Sequence, residues 1–182
     1  MQERKFKDKK EARTFFKKIL KNLSQERKQK GQEVIFDIIS TKSEQFNFVL
    51  SFASMQEEIN LWELNNFIAK KKKLLLPKVE GQRLGIYHVN DLTKMKKNNS
   101  YDILEPDSQL CEKINISDID LVLVPALAFD QYNYRLGRGG GYYDRLLSTI
   151  KCENIGVGFK EQLVEEVPHD VLDIKVDEIL LV

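Results

Sequence analysis

The stretch with the densest capacity for chemistry is RLGRGGGYYDRLL, Arg135 to Leu147. Gly137, Gly139, Gly140 and Gly141 tolerate positive φ and let successive backbone N–H groups converge on an anion. Arg135 and Arg138 add planar guanidinium forks that match phosphate oxygens. Asp144 falls at the start of an expected helix, whose first N–H groups also favour anions. A carboxylate there suits Mg²⁺ bridging phosphate oxygens. A glycine run alone is as often a plain turn. An acid in a first helical turn contributes about 0.3–1 kcal/mol through the helix dipole alone. Two arginines and a carboxylate around the same glycines weigh toward phosphate binding.

The spacing excludes several familiar sites. No G-x-x-x-x-G-K-[ST] occurs in the chain, so this is not a Walker loop. A dinucleotide fingerprint started at Gly137 places Tyr142 where its third glycine belongs. There is no nucleophile elbow, and two histidines in the whole chain argue against a nucleophilic triad. Cys111 and Cys152 lie far apart without metal-ligand spacing, which suits a reducing compartment and argues against disulfide or zinc.

Such a loop needs a rigid platform. Short, continuously apolar runs, LVLVP (Leu121–Pro125), IGVGF (Ile155–Phe159) and EILLV (Glu178–Val182), read as buried strands. Alternation over Phe46, Phe48, Leu50 and Phe52 predicts another, and strands are expected at Leu74–Leu76 and Leu84–Val89. Phe6, Phe15, Phe16, Ile19, Leu20 and Leu23 recur at helical spacing, predicting one amphipathic helix over residues 3–28. A second is expected after Gly31, through Val34, Ile35, Ile38 and Ile39. Asn60 with Glu63 resembles a capping box opening a third, which ends in Lys70–Lys73. Residues 90–118 are polar and aperiodic and read as a long surface excursion, residues 126–141 as a loop, and a helix starts near Tyr142. Helices alternating with apolar strands predict an α/β class: one three-layer α/β/α domain over residues 1–182 with a mainly parallel sheet.

Length and composition agree. At 182 residues, 42% apolar and 31% charged, the chain can build a core without a staple. No apolar run approaches the ~20 residues of a membrane span, and the basic N-terminus lacks the features of a signal peptide, so a cytoplasmic protein is expected. Residues 1–31 carry 12 Lys/Arg against 4 Asp/Glu, leaving the remainder acidic although the net charge is only +1. Such a basic helix attracts nucleic acid or a phosphorylated ligand, or is simply solvated. No RNP pattern, zinc finger or recognition helix accompanies it, so no nucleic-acid partner is expected.

The segment LVLVPALAFDQYNYRLGRGGGYYDRLL (Leu121–Leu147) resembles the signature of the 5-formyltetrahydrofolate cyclo-ligase family. The likeness extends to Lys9 and Arg13 of the first helix, to FASMQEEI (Phe52–Ile59) and to the tail VPHDVLDIKVDEILL (Val167–Leu181). It spans almost the whole chain in order, least well over residues 90–118. The resemblance implies a ligase of one-carbon metabolism. It uses ATP and Mg²⁺ to close 5-formyltetrahydrofolate into 5,10-methenyltetrahydrofolate, releasing ADP and phosphate after phosphorylating the formyl oxygen. It implies ATP contacts at Lys9, Arg13, Arg135, Leu136, Gly137, Arg138, Gly139, Gly140, Gly141, Tyr142 and Tyr143, with Arg138 catalytic between the two substrates. It implies folate contacts at Ala53 and Glu58, Mg²⁺ at Asp144 and Asp173, and a monomer that meets only small molecules. Two departures stand out. Gly140 occupies a place where some members carry lysine, and Leu172 precedes Asp173 where many have histidine. The dipeptide His169–Asp170 sits at the wrong distance from Val176–Asp177 to substitute, so His169 is expected to be a surface residue. A sugar-phosphate isomerase or coenzyme A transferase of similar architecture is the rival reading; it would bind an acidic ligand without ATP.

Overall fold

The computed structural model describes residues 5–98 and 103–182. Helix α1 (Lys9–Asn22) starts where Asp8 accepts the Glu11 N–H at 2.8 Å. Helix α2 (Gln25–Lys42) starts one residue after Ser24, whose hydroxyl accepts from Arg27 N at 3.1 Å. The expected single helix over residues 3–28 is therefore two, and residues 3–4 of it lie outside the described ones. Leu23 is extended (φ −61°, ψ 133°) because Ser24 caps a new helix there. Gly31 does not separate helices but lies inside α2. A Cβ at Gly31 would stand 2.7 Å from Cε1 of Phe159, so glycine allows the close approach.

Strand β1 is only Val49–Leu50, shorter than the expected alternation over residues 46–52. Helix α3 (Trp62–Lys70) opens without a capping box; Asn60 instead accepts from Trp62 N at 2.9 Å. There follow β2 (Leu74–Glu80), β3 (Arg83–His88), β4 (Met95–Asn98), β5 (Ile103–Pro106), β6 (Glu112–Ile114), β7 (Leu121–Val124), β8 (Ala128–Asp130) and β9 (Arg135–Leu136). Helix α4 (Tyr142–Leu147) and strands β10 (Glu153–Gly158), β11 (Leu163–Val164) and β12 (Glu178–Leu181) complete the fold.

The main sheet has the order β12-β10-β7-β1-β2-β3-β6. Its first five strands run parallel; β3 alone is reversed, pairing antiparallel with β2 on one side and β6 on the other, which is the mainly parallel α/β sheet expected. Alternation in the strands sorts side chains to two faces. Val49, Leu74, Leu76, Leu121, Leu123, Ile155 and Val157 pack with Phe16, Leu20, Ile35, Ile39, Leu64 and Ile68 of α1–α3. Leu50, Leu75, Val122 and Val124 pack on the other side with Leu146 and Leu147 of α4. Full burial of each such side chain contributes about 1.5–3 kcal/mol. The residues of both faces hold the strand ends that carry the loops.

Two expectations about connections are corrected. Residues 90–118 do not form a bare excursion. They hold the β4–β5 hairpin and the edge strand β6, with residues 99–102 outside the described ones. Residues 126–141 are not all loop: β8 and β9 pair antiparallel, and β11 joins β8, in a small second sheet. Arg135 and Leu136 thus stand on a strand. Among the described residues no helix is long and apolar enough to cross a membrane.

Candidate functional site

A cavity of about 410 Å³ opens beyond the C-terminal ends of β1 and β7, where α/β sheets present ligand groups. One wall is apolar: Phe52, Pro77, Val79, Leu84, Leu104 and Pro125. The glycine loop, with Arg135 and Arg138, lines the same cavity. Ala53 and Glu58, from the segment after β1, line the same space, as do Tyr142 and Tyr143. The backbone at Gly139 (φ 108°) and Gly141 (φ 65°) is left-handed, a conformation that a Cβ would strain. Helix α4 has only six residues, so the loop's own N–H groups count for more here than a helix dipole.

Arg138 spans the cavity. Its Nε donates to Glu58 Oε1 at 3.0 Å and its Nη2 to Glu57 Oε2 at 3.1 Å. The second oxygen of Glu58 accepts from Met55 N at 2.9 Å, so backbone fixes the carboxylate. Burial pushes the Glu57 carboxyl up, but the Arg138 hydrogen bond and charge outweigh it, and the net shift is downward.

Arg135 is nearly enclosed, with 4% of its side chain exposed. Its Nη2 donates to Asp144 Oδ1 at 2.7 Å. Burial pulls its pKa down, and the Asp144 charge opposes that. Asp144 Oδ1 also accepts from Ile174 N at 3.2 Å, which joins the start of α4 to the C-terminal segment. Arg13 reaches over from α1 and donates from Nε to Gly137 O at 2.9 Å. Lys9, a turn earlier, donates to Asp170 Oδ2 at 2.7 Å and Asp173 Oδ2 at 2.5 Å. Burial lowers the Lys9 pKa, but these two bonds raise it further, so the net shift is upward.

Asp144 and Asp173 fit a Mg²⁺ site by their chemistry. Each uses one oxygen in the bonds above, which leaves a second hard oxygen donor. Among the described residues no group of three or more His, Cys, Asp or Glu could hold an ion from protein alone. Mg²⁺ in nucleotide sites takes one or two carboxylates plus phosphate oxygens, so a pair is the right inventory. His169 is exposed and stacks on Tyr134 with centroids 3.8 Å apart, in keeping with a surface role.

Of the residues singled out from sequence, Ala53, Glu58, Arg135, Gly137 and residues 138–143 line this cavity, Arg13 and Asp144 bond to its lining residues, Lys9 and Asp173 pair with each other, and Leu136 is buried in the core instead. Several that shape the cavity were not singled out. Glu57 carries no signal beyond being one of two adjacent acids. Leu104 and Glu105 line the cavity from the polar stretch that sequence left without a role. Asp130 is fully buried and accepts from Tyr132 N and Tyr134 N through Oδ1, and from Val167 N through Oδ2. It ties the turn before Arg135 to the segment leading to Asp173. An acid before a turn was the only hint.

Comparison with known proteins points to one family. A model of the 5-formyltetrahydrofolate cyclo-ligase family matches residues 5–182. The mouse 5-formyltetrahydrofolate cyclo-ligase is 31% identical over 143 residues, covering 71% of this chain and 70% of that protein. The NMR structure of Aquifex aeolicus 5,10-methenyltetrahydrofolate synthetase superposes with a TM-score of 0.84 at 34% identity, covering 94% of this chain and 88% of that one. A Mycoplasma pneumoniae 5,10-methenyltetrahydrofolate synthetase, 20% identical with a TM-score of 0.74, shares the fold.

Proposed function

The chain belongs to the 5-formyltetrahydrofolate cyclo-ligase family and is a ligase, and we propose that it closes 5-formyltetrahydrofolate to 5,10-methenyltetrahydrofolate at the expense of ATP, with Mg²⁺. The observation that carries this reading is Arg138 standing between an apolar wall with a fixed carboxylate and a glycine loop built for phosphate. A pterin needs a flat apolar slot and an acceptor for its amino and ring N–H groups. Phe52, Pro77 and Leu84 offer the slot, and Glu58 offers the acceptor.

In this reading the glycine loop, Lys9 and Arg13 align the triphosphate. The formyl oxygen attacks the terminal phosphorus and ADP leaves. The neighbouring amine nitrogen adds to the activated formyl carbon, loses its proton, and phosphate departs with the former formyl oxygen as the ring closes. Phosphoryl transfer asks for alignment and charge neutralisation rather than a nucleophilic side chain. Arg138 meets the charge that develops on the transferred group. Asp144 and Asp173 would hold Mg²⁺, which supplies charge neutralisation at the phosphates when bound. Arg135, locked by Asp144, keeps α4 and the loop in register.

The reading is tested by the absorbance of methenyltetrahydrofolate. Product should form from 5-formyltetrahydrofolate only with ATP and Mg²⁺ both present. Formation without ATP would favour the isomerase-like alternative.

Glu58→Gln provides a narrower check. Glutamine retains one acceptor but can present a donor to the pterin's own donors. The KM for 5-formyltetrahydrofolate should rise at least tenfold, since hydrogen bonds to charged groups contribute about 1.5–3 kcal/mol. The KM for ATP should change little. Equal rises in both would indicate a general defect of the site.

A further inference from the structure

Gly140 and Gly141 are glycines for different reasons. Gly141 lies in the left-handed region (φ 65°), and Gly140 does not. At Gly140 the constraint is a neighbour: a Cβ there would stand 2.8 Å from Cδ2 and Cε2 of Tyr142. The guanidinium carbon of Arg145 lies 5.2 Å from the centroid of that same ring. Arg145 Nη2 donates to Gly140 O at 2.7 Å, and a Cβ at Gly141 would stand 2.7 Å from its Nη1. Its Nε donates to the backbone O of Gln82 at 2.6 Å, while the Tyr142 hydroxyl donates to Gly81 O at 3.3 Å. Gly81 and Gln82 form the turn between β2 and β3. Val79 and Leu84, on the strands beside that turn, pair with each other and line the cavity. One side chain of α4 therefore grips both the glycine loop and the hairpin that carries part of the apolar wall.

The peptide plane converts this grip into alignment. The C=O and N–H of a trans peptide point in opposite directions, so fixing Gly140 O also fixes the direction of the Gly141 N–H. A glycine run left untied would sample many conformations. We propose that Arg145 is a positioning residue, which holds the Gly140–Gly141 peptide and sets the spacing between the loop and the β2–β3 hairpin. Nucleotide on the loop and folate on the hairpin side are thereby kept at a reactive separation. This deepens the function proposed above and rests on it. Arg145 acts through two backbone carbonyls and needs no contact with either substrate. A planar fork can serve both carbonyls at once; an ammonium on a flexible stem presents no such fork.

Arg145→Ala and Arg145→Lys test the assignment, through turnover, heat unfolding and calorimetric titration with 5-formyltetrahydrofolate alone. The alanine variant should lose about tenfold in kcat, since a displacement of about 1 Å between aligned groups can cost up to ~100-fold. Its unfolding temperature should stay near wild type, because Arg145 is exposed and water can replace it at both carbonyls. Folate affinity should also hold, because strand pairing keeps β2 and β3 in place. Lysine should restore little of the lost turnover. Near-normal kcat in the alanine variant overturns the assignment, and so does full recovery with lysine, which would reduce Arg145 to a bare charge. A lowered unfolding temperature with weakened folate binding would also overturn it, in favour of general support of the fold. If wild type itself forms no product with ATP and Mg²⁺, the proposed function falls; if wild type is active and Arg145→Ala equals it, only the positioning role falls.

Discussion

Replacing Arg138 with alanine is expected to lower turnover by about 100- to 1,000-fold, the usual loss when one preorganised charge contact to a transition state is removed. The fold should survive. Arg138 leaves 28% of its side chain exposed, and its ion pairs among the described residues go to Glu57 and Glu58, from the segment after β1. Ion pairs with this much solvent access contribute about 0–1 kcal/mol. Glu58 keeps its bond from Met55 N after the change. The effect should therefore fall on kcat, while thermal unfolding stays close to wild type. Arg138→Lys should recover little, because an ammonium has no planar fork with which to hold a carboxylate and a phosphoryl oxygen together. Near-normal turnover in the alanine variant would remove Arg138 from the reaction.

The second large effect concerns three acids, of which the family resemblance gives Asp144 and Asp173 a metal role and Asp170 none. Asp144→Asn should cripple activity and also destabilise the protein. It removes the counter-charge of Arg135, whose side chain is only 4% exposed. Breaking a buried pair from one side costs about 3–5 kcal/mol, and because Asp144 itself is 21% exposed the low end applies. Asp173→Asn should raise the Mg²⁺ requirement and depress turnover with little loss of stability. Asp170→Asn should stay near wild type: its side chain is 59% exposed, and Lys9 retains Asp173 as partner. Activity titrated against Mg²⁺ at saturating ATP, beside melting curves of the three variants, decides the order. A crippled Asp170→Asn with a normal Asp173→Asn would shift the metal assignment by three residues.

Much of this site was legible because its residues are chemically loud. Glycines at Gly139 and Gly141 mark positive φ, and arginines between glycines have few structural duties. The parallel strands were legible for a similar reason: LVLV and IGVG are apolar on both faces, as a doubly covered sheet requires. What sequence missed was set by contacts distant along the chain. A helical period runs through Leu23, yet the Ser24 cap divides it. Gly31 reads as a breaker until Phe159 is seen against it. The polar stretch containing Leu104 folds back as a hairpin only because β5 can pair with β4, so its place on the cavity wall had no local signal. Glu57 and Asp130 act through single hydrogen-bond geometries that a residue type cannot announce.

The most direct test of the central claim follows one atom. 5-Formyltetrahydrofolate labelled with ¹⁸O in the formyl group should be converted with ATP and Mg²⁺, and the inorganic phosphate released should be analysed by mass spectrometry. If the formyl oxygen is phosphorylated before the ring closes, the label is expected in phosphate in a one-to-one ratio with methenyltetrahydrofolate formed. Label appearing in water, with unlabelled phosphate, would contradict phosphoryl activation and the alignment assigned to the glycine loop and Arg138.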